Sequence, residues 1–135
     1  MAEGKRVVLE WDEKLVFHGG ESGGPVMAID GDGIAAPGPM LTLLLAAAAC
    51  SGSDVVSILE KMRVGLRELR IEVSGERREA QPRRYTAIHL EYHLRGEWLD
   101  EAKARRAVEL SIEKYCSVLH SLAADIRVTH GLTLG

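Results

Sequence analysis

The chain contains two cysteines, and their chemistry is the most specific that its residues offer. Cys50 ends a run that is apolar from Met40 onward except for Thr42, and Cys116 follows a segment with helical spacing. If the two Cα atoms lie within about 7 Å, one thiolate can attack the O–O bond of a peroxide and the other thiol can resolve the sulfenic acid as a disulfide. Two unrelated core cysteines are the alternative, and spacing alone leaves both interpretations open.

The residues after Cys50 allow two local structures. Ser51 and Asp54 match the pattern of a helix capping box, so the helix either continues with a kink or ends and starts again. The second option places Cys50 just ahead of a helix N-terminus. Unpaired backbone N–H groups and the helix dipole would there favour a thiolate over a thiol.

The histidines suggest other chemistry, which we consider second to the cysteines. His89, Glu91 and His93 share one face of a predicted strand, where a solvated polar face is favoured over a metal site. His120 follows Cys116 by four residues, and a capping or surface role is favoured over a role as a base. We therefore predict no metal and no cofactor. The segment 30–33, Asp-Gly-Asp-Gly, lacks the spacing of a calcium loop and is predicted to be a turn.

Hydrophobic periodicity predicts one α+β domain over residues 1–135. An N-terminal β meander occupies residues 1–36, with a half-buried first strand and a glycine-rich loop at 19–24. Residues 37–135 follow as helix, strand, strand, helix and strand. Pro39 suits the first position of the central helix, whose eleven-residue apolar run is short of the roughly 20 residues needed to cross a bilayer. We expect antiparallel sheets packed on this helix, a helix end at Gly65, and Asp100 as the N-cap of the second helix.

Composition excludes several classes of protein. The 135 residues carry 20 acidic and 17 basic side chains without long blocks, and the net charge of -3 argues against nucleic-acid binding. The basic pair near the N-terminus has no apolar segment behind it, so we expect no secretory signal, no membrane anchor and a cytoplasmic location. There is no P-loop, dinucleotide fingerprint or serine-hydrolase motif.

Three stretches resemble the OsmC/Ohr family of osmotically inducible and organic hydroperoxide resistance proteins, and in particular its OsmC-like branch. They are the run from Pro39-Met40 through Leu-Leu-Leu-Ala-Ala to Cys50, the segment 54–63 (DVVSILEKMR), and the segment 113–118 (EKYCSV). The resemblance implies an intertwined α+β homodimer with two sites at the subunit interface. It implies reduction of organic hydroperoxides, with Cys50 as the peroxidatic residue, Cys116 as the resolving residue and an external dithiol as reductant.

Two positions differ from the family pattern, which has a Glu directly after the motif proline and an Arg in the N-terminal loop. Met40 occupies the first position, and the loop at 18–24 contains no Arg. Met40 and Leu41 are therefore candidates to line an apolar substrate pocket, and a plain role in the core is an equal alternative for both. The same difference leaves an alternative function open, that of a catalytically silent binding module holding a small hydrophobic ligand at the dimer interface.

Overall fold

The computed structural model describes residues 4–135, and the chain divides into two compact units. The first unit ends at Leu43, and the second runs from Leu44 to Gly135. The first three residues, which belong to the predicted meander and to the segment searched for a signal, lie outside the described part. One domain over 1–135 stays a prediction. The elements are β1 (Val7–Glu13), β2 (Val16–Glu21), β3 (Val26–Asp30), α1 (Pro39–Lys61), β4 (Gly65–Arg77), β5 (Tyr85–Glu97), α2 (Glu101–Leu110), a π-helical turn (Ser111–Tyr115), α3 (Ser117–Ser121) and β6 (Arg127–Leu134).

The first unit contains the predicted meander, in which β1, β2 and β3 pair antiparallel in chain order. β2 continues through Gly19 and Gly20, where the sequence predicted a loop. A Cβ at Gly20 would lie 2.2 Å from the carbonyl oxygen of Pro25, so only glycine lets the strands approach this closely. The prediction of a half-buried β1 is wrong, because all seven of its residues are exposed.

The predicted turn after β3 is confirmed, and the buried Asp30 organises it. Its carboxylate accepts hydrogen bonds from the backbone N–H groups of Asp32, Ile34 and Ala35 at 2.8 to 3.1 Å. These bonds, that from Ala35 foremost, hold the pKa of Asp30 below its usual value. Asp30 therefore acts as an anchor for the turn.

The long helix α1 starts at Pro39, as predicted, and runs unbroken for 23 residues. It passes straight through Ser51 and Asp54, so the option of a second helix start beside Cys50 is wrong. The Ser53 hydroxyl donates to the Ala49 carbonyl within the same helix at 2.8 Å. Cys50 thus lies in the interior of a helix, where the backbone N–H groups are already paired.

Arg63, rather than the predicted Gly65, ends α1. Arg63 has a φ of 64°, which turns the chain into the left-handed conformation usually taken by glycine. The Val64 N–H then donates to the Leu59 carbonyl and the Arg63 N–H to the Glu60 carbonyl, both at 3.0 Å, which is the Schellman pattern. Gly65 instead begins β4.

Among the described residues, α1 is the one helix that is long and apolar enough by length and composition to cross a membrane. The sequence argument that the eleven-residue apolar run is too short to cross a bilayer therefore does not apply to the 23-residue helix. A core helix passes the same test, and one face of α1 lies in the core of the second unit. The buried residues of that face are Leu44, Ala47, Ser51, Gly52, Val55 and Leu59. That the protein binds no membrane stays a prediction.

The second sheet has the order β4, β5, β6, with β5 in the centre. β4 and β5 form the predicted antiparallel pair, but β6 pairs with β5 in parallel. Parallel pairing follows from the long crossover through α2, the π turn and α3 that joins the two strands. A Cβ at Gly52 would lie 3.3 Å from Ile71 Cδ1, so α1 packs closely on β4 there. Two small sheets and a central helix confirm the α+β class.

The helical connection between β5 and β6 changes its winding before Cys116. Asp100 caps α2 as predicted, accepting from the Lys103 N–H at 2.8 Å. α2 then widens into the π turn, which closes when the Cys116 N–H donates to the Ser111 carbonyl at 2.7 Å. Cys116 itself is extended, with φ −70° and ψ 98°. It therefore occupies a junction between two helical segments.

Candidate active site

The structure brings the two cysteines together, although they are separated by 66 residues of chain. The Cys50 thiol lies close enough to Cys116 to help raise the pKa of the Cys116 thiol. Both are free thiols, Cys50 half-buried and Cys116 fully buried. Cys116 Sγ also lies 3.9 Å from the carbonyl oxygen of Ala47, one turn before Cys50 on α1. The pair is thus a buried thiol beside a more accessible one.

Burial and its neighbours keep Cys116 protonated. Loss of solvation is the main cause that raises its pKa to about 11, and the Leu119 backbone amide opposes the shift. The Cys50 thiol and the Asp54 carboxylate raise the pKa further, since neither favours a second negative charge nearby. At neutral pH Cys116 is therefore a thiol.

Next to the cysteines, a chain of buried hydroxyl groups crosses the core of the second unit. Ser51 Oγ lies 2.6 Å from the Tyr92 hydroxyl and 2.8 Å from Ser111 Oγ. Ser111 Oγ donates in turn to Asp54 Oδ2 at 2.9 Å. Ser51, Ser111 and Tyr92 are buried, and Asp54 is half-buried. We call these four residues the hydroxyl network.

Each hydroxyl carries one proton, and this fixes the direction of the hydrogen bonds. Because Ser111 gives its proton to Asp54, it can only accept from Ser51. Ser51 then accepts from Tyr92. The network is a polarised chain that runs from Tyr92 to the Asp54 carboxylate, and such chains strengthen each of their bonds. Burial raises the pKa of Tyr92 to about 12, so the phenol remains the donor.

Sequence reasoning missed the hydroxyl network, although a signal for it was present. Ser51 falls every fourth residue with Ala47, Val55 and Leu59 on the buried face of α1. Ser111 similarly continues the buried face of α2, and Tyr92 alternates with the buried residues of β5. Each apolar face thus contains one hydroxyl, and a buried hydroxyl requires a partner. Ser51 and Asp54 therefore do not cap a helix, as one option inferred from the sequence had it, but take part in the hydroxyl network.

The predicted polar face around His89 is confirmed. His89 contacts Thr129 Oγ1 at 2.7 Å and Glu91 Oε1 at 2.9 Å, whereas His93 Nε2 lies 3.2 Å from Glu72 Oε1 without hydrogen-bond alignment. Within residues 4–135, no three His, Cys, Asp or Glu side chains converge as a metal site would require. These side chains therefore form pairs along the sheet.

His120 has the capping role that the sequence favoured over a role as a base. Its Nε2 lies 3.0 Å from the Ile112 carbonyl oxygen, so this nitrogen carries the proton and donates. The His120 backbone N–H also donates to the Cys116 carbonyl at 3.1 Å. The ring thus holds the π turn against α3.

Met40 and Leu41, the candidate pocket residues, belong to the first unit and begin α1. Met40 is half-buried, and Leu41 is exposed over 57% of its surface. Their contact with a substrate stays a prediction.

Comparison with known proteins agrees with this architecture. Residues 30–131 match the family model described as OsmC-like protein. The chain is 42% identical over 123 residues to protein YhfA of Escherichia coli K12, covering 90% of this chain and 92% of YhfA. A hypothetical protein from Aquifex aeolicus has a solved structure that aligns with a TM-score of 0.89 at 32% identity, over 99% of this chain and 98% of that one.

A more distant solved structure shares the fold. The organic hydroperoxide resistance protein OhrB of Bacillus subtilis aligns with a TM-score of 0.63 at 17% identity, over 97% of this chain and 98% of that one. The family match covers most of the chain, and the relatives cover it nearly end to end. The chain belongs to the OsmC-like family.

Proposed function

We propose that the protein is a thiol-dependent peroxidase that reduces organic hydroperoxides through a cycle between Cys50 and Cys116. The observation that carries this proposal is that the fold places Cys50 near enough to Cys116 for the Cys50 thiol to influence the titration of the Cys116 thiol. Membership of the OsmC-like family supports a redox role, and OhrB of Bacillus subtilis, which shares the fold, is an organic hydroperoxide resistance protein. The different burial of the two cysteines supports different roles for them.

Cys50 takes the peroxidatic role because it is the more accessible thiol. After losing its proton to water, its sulfur attacks one oxygen of the hydroperoxide, so that an S–O bond forms and the O–O bond breaks. The leaving alkoxide takes a proton from water and departs as the alcohol. Cys50 is oxidised by two electrons to the sulfenic acid.

Cys116 takes the resolving role because it lies beside Cys50 and is shielded from solvent. Its thiol first loses its proton to water, and the resulting thiolate attacks the Cys50 sulfur, so that the S–S bond forms and the S–O bond breaks. The leaving hydroxide takes a proton from water. An external dithiol then reduces the disulfide by exchange and is itself left as a disulfide. A reducing cytoplasm would supply such a dithiol.

We also propose that the working form is a homodimer. Apolar side chains of the first unit are widely exposed, including 72% of Val7, 66% of Trp11 and 87% of Ile34. Large apolar side chains exposed to this extent are typical of a protein interface. A second copy would cover it and would complete an apolar substrate pocket to which Met40 and Leu41 contribute. Light scattering at micromolar concentration tests this directly, since a monomer would contradict it.

The peroxidase proposal is tested by intact-mass analysis after one equivalent of cumene hydroperoxide. We expect the wild-type protein to lose two hydrogens, and Cys50→Ser to remain unchanged. Cys116→Ser is the matched variant and should gain one oxygen, the mass of a sulfenic acid. If Cys116→Ser stays reduced while the hydroperoxide persists, Cys50 is not peroxidatic.

A silent binding module is the second candidate, favoured by Met40 at the position of the family Glu. In the described part of the chain, the groups that shift the pKa of Cys116 are a thiol, a carboxylate and a backbone amide. A binding module would leave Cys50 unoxidised by cumene hydroperoxide and would bind a small apolar alcohol or ester with the same affinity in Cys50→Ser. The mass experiment therefore separates the two candidates.

A further inference from the structure

The hydroxyl network joins the two segments that carry the cysteines. Ser51 directly follows Cys50 on α1. Ser111 offers its backbone carbonyl to the Cys116 N–H at 2.7 Å. The 2.8 Å hydrogen bond between the Ser51 and Ser111 hydroxyls therefore joins the neighbour of one cysteine to the backbone partner of the other.

We infer that the hydroxyl network positions Cys116 against Cys50 for disulfide closure, with Ser51, Ser111 and Asp54 as positioning residues. The inference rests on the proposed two-cysteine cycle and adds to it the residues that set the speed of its second step. None of the three side chains reacts. Their contribution is to hold α1 and the π turn in one register.

The local backbone shows why such a brace is needed. A π turn is a rare winding that needs compensation, and residue Ser111 opens it. Its hydroxyl does not bond within its own helix, as serines in helices often do, but reaches Ser51 and Asp54 on α1. Without these bonds the turn can relax toward an ordinary α-helical winding. Cys116 would then rotate away from α1.

The polarity of the network makes Asp54 its terminal acceptor. An acceptor that carries charge gives the strongest hydrogen bond in such a chain, and it fixes the direction of the others. Asp54 is half-buried and lies on the same helix as Ser51, three residues further on. A neutral acceptor of the same shape should preserve the geometry, whereas loss of the acceptor should not.

The test follows Cys50–Cys116 disulfide formation in a single turnover, with cumene hydroperoxide as oxidant and a dimedone trap for the sulfenic acid. In Ser111→Ala we expect sulfenic acid to form within twofold of the wild-type rate, and closure to slow at least tenfold. The trapped fraction should rise accordingly. A merely structural role would slow both steps or neither.

Ser53→Ala is the matched control. Ser53 is also on α1 beside the site, but it is exposed and its hydroxyl bonds only the Ala49 carbonyl. We expect closure within twofold of the wild-type rate. Ser111→Ala closing this fast as well would overturn the inference.

A second pair of variants tests the inference even if the Ser111→Ala protein fails to fold. Asp54→Ala removes the terminal acceptor at the accessible end of the network and should slow closure at least fivefold. Asp54→Asn keeps an acceptor oxygen of the same shape and should close at least as fast as half the wild-type rate. Equal closure rates in the Ala and Asn variants would overturn the inference.

A run with diamide in place of the hydroperoxide separates failure of this inference from failure of the proposed function. Diamide accepts one cysteine sulfur, the second thiol displaces it, and the reagent leaves as the reduced hydrazine. If diamide closes the disulfide more slowly in Ser111→Ala, and the wild type does not react with the hydroperoxide, the positioning role is supported and the peroxidase function is rejected. Closure by peroxide that is indifferent to Ser111 would do the reverse.

Discussion

Cys50 and Cys116 lie in segments of opposite character. Cys50 is half-buried within an unbroken helix of 23 residues, whose backbone hydrogen bonds continue on both sides of it. Cys116 is fully buried at an interruption, where a π turn has ended, the residue itself is extended, and a five-residue helix begins. A regular element thus presents the accessible thiol and an irregular one delivers the buried thiol.

The difference indicates how burial can give the two thiols of a pair distinct roles. Accessibility decides which sulfur meets the oxidant first. Burial raises the pKa of the other thiol to about 11, so it is held in reserve as a protonated group. The side-chain bonds of Ser111 hold the irregular segment before Cys116 to α1, whereas the backbone hydrogen bonds of α1 itself hold Cys50.

The largest expected effect is in native-state alkylation of the two thiols. In the reduced protein at pH 8, iodoacetamide should modify Cys50 on the order of 100-fold faster than Cys116, because Cys116 is both buried and protonated. Peptide mapping by mass spectrometry after timed quenching measures the two rates. In about 6 M urea, which unfolds a typical small domain, the alkylation rates of the two cysteines should become similar. Faster labelling of Cys116 in the folded protein would reverse the assigned roles.

The next effect concerns the pH dependence of closure. Cys116 has a pKa of about 11, so its thiolate fraction rises with pH throughout the range below that value. The rate of disulfide closure should therefore increase roughly tenfold per pH unit over the neutral to mildly alkaline range, provided the thiolate is the attacking form. Stopped-flow fluorescence or quenched-flow mass analysis measures the closure rate at each pH.

The control for this pH profile is the rate of sulfenic acid formation in Cys116→Ser. This rate should exceed the wild-type closure rate at every pH measured, so that closure is the slower step. A flat closure profile in the wild type would mean that Cys116 is not deprotonated before it attacks. The raised pKa would then have no part in the chemistry.

Sequence periodicity was sufficient for the elements that repeat one pattern. The alternation from Thr86 to Leu94 gave β5, and Pro39 and Asp100 marked the starts of α1 and α2, because caps and alternation are local effects. The same alternation in β1 predicted half-burial, yet all seven residues of β1 are exposed in this chain. Alternation shows which face is apolar, but the element that covers that face is not encoded locally.

The two cysteines could be singled out from the sequence, but their surroundings could not. A cysteine at the end of each apolar segment drew attention to Cys50 and Cys116, which the fold brings near each other, and their catalytic roles stay a prediction. The capping pattern at Ser51 and Asp54 was misleading, since the helix passes through both residues and tertiary contacts use their side chains instead. Ser111 acquires its partners across about 60 residues of chain, a separation that local sequence patterns do not reveal.

A smaller effect is expected on alkaline stability. The pKa of Cys116 is raised from 9.0 to about 11 on folding, so the folded state retains a proton that the unfolded state loses. The stabilisation is complete below pH 9 and is lost as pH rises toward 11, by up to about 2 kcal/mol. Urea unfolding at several pH values measures it.

Cys116→Ala is the comparison for alkaline stability. It should be less stable than the wild type at pH 8, where its small cavity dominates, and should lose less stability than the wild type between pH 9 and 11. Cys50→Ala should lose slightly less stability than the wild type over this range, because burial, the main cause of the raised Cys116 pKa, remains while the smaller contribution of Cys50 is removed. Parallel slopes for Cys116→Ala and the wild type would show that Cys116 does not hold its proton more tightly in the folded state.

The smallest effect is expected at His120, which closes the irregular segment from the outside. Its Nε2–H donates to the Ile112 carbonyl at 3.0 Å on an exposed surface, so His120→Ala should cost about 0.5 to 1 kcal/mol of unfolding free energy. His120→Gln retains a donor and should recover part of this loss. Closure should slow by at most about twofold in His120→Ala, because the hydroxyl network holds Cys116 from the inner side and a single net hydrogen bond on the outer side contributes little. A hundredfold loss of peroxidase activity in His120→Ala with unchanged stability would instead identify His120 as a base. The contrast between Cys50 in a regular helix and Cys116 held by the hydroxyl network would then no longer explain why Cys50 reacts first and Cys116 second.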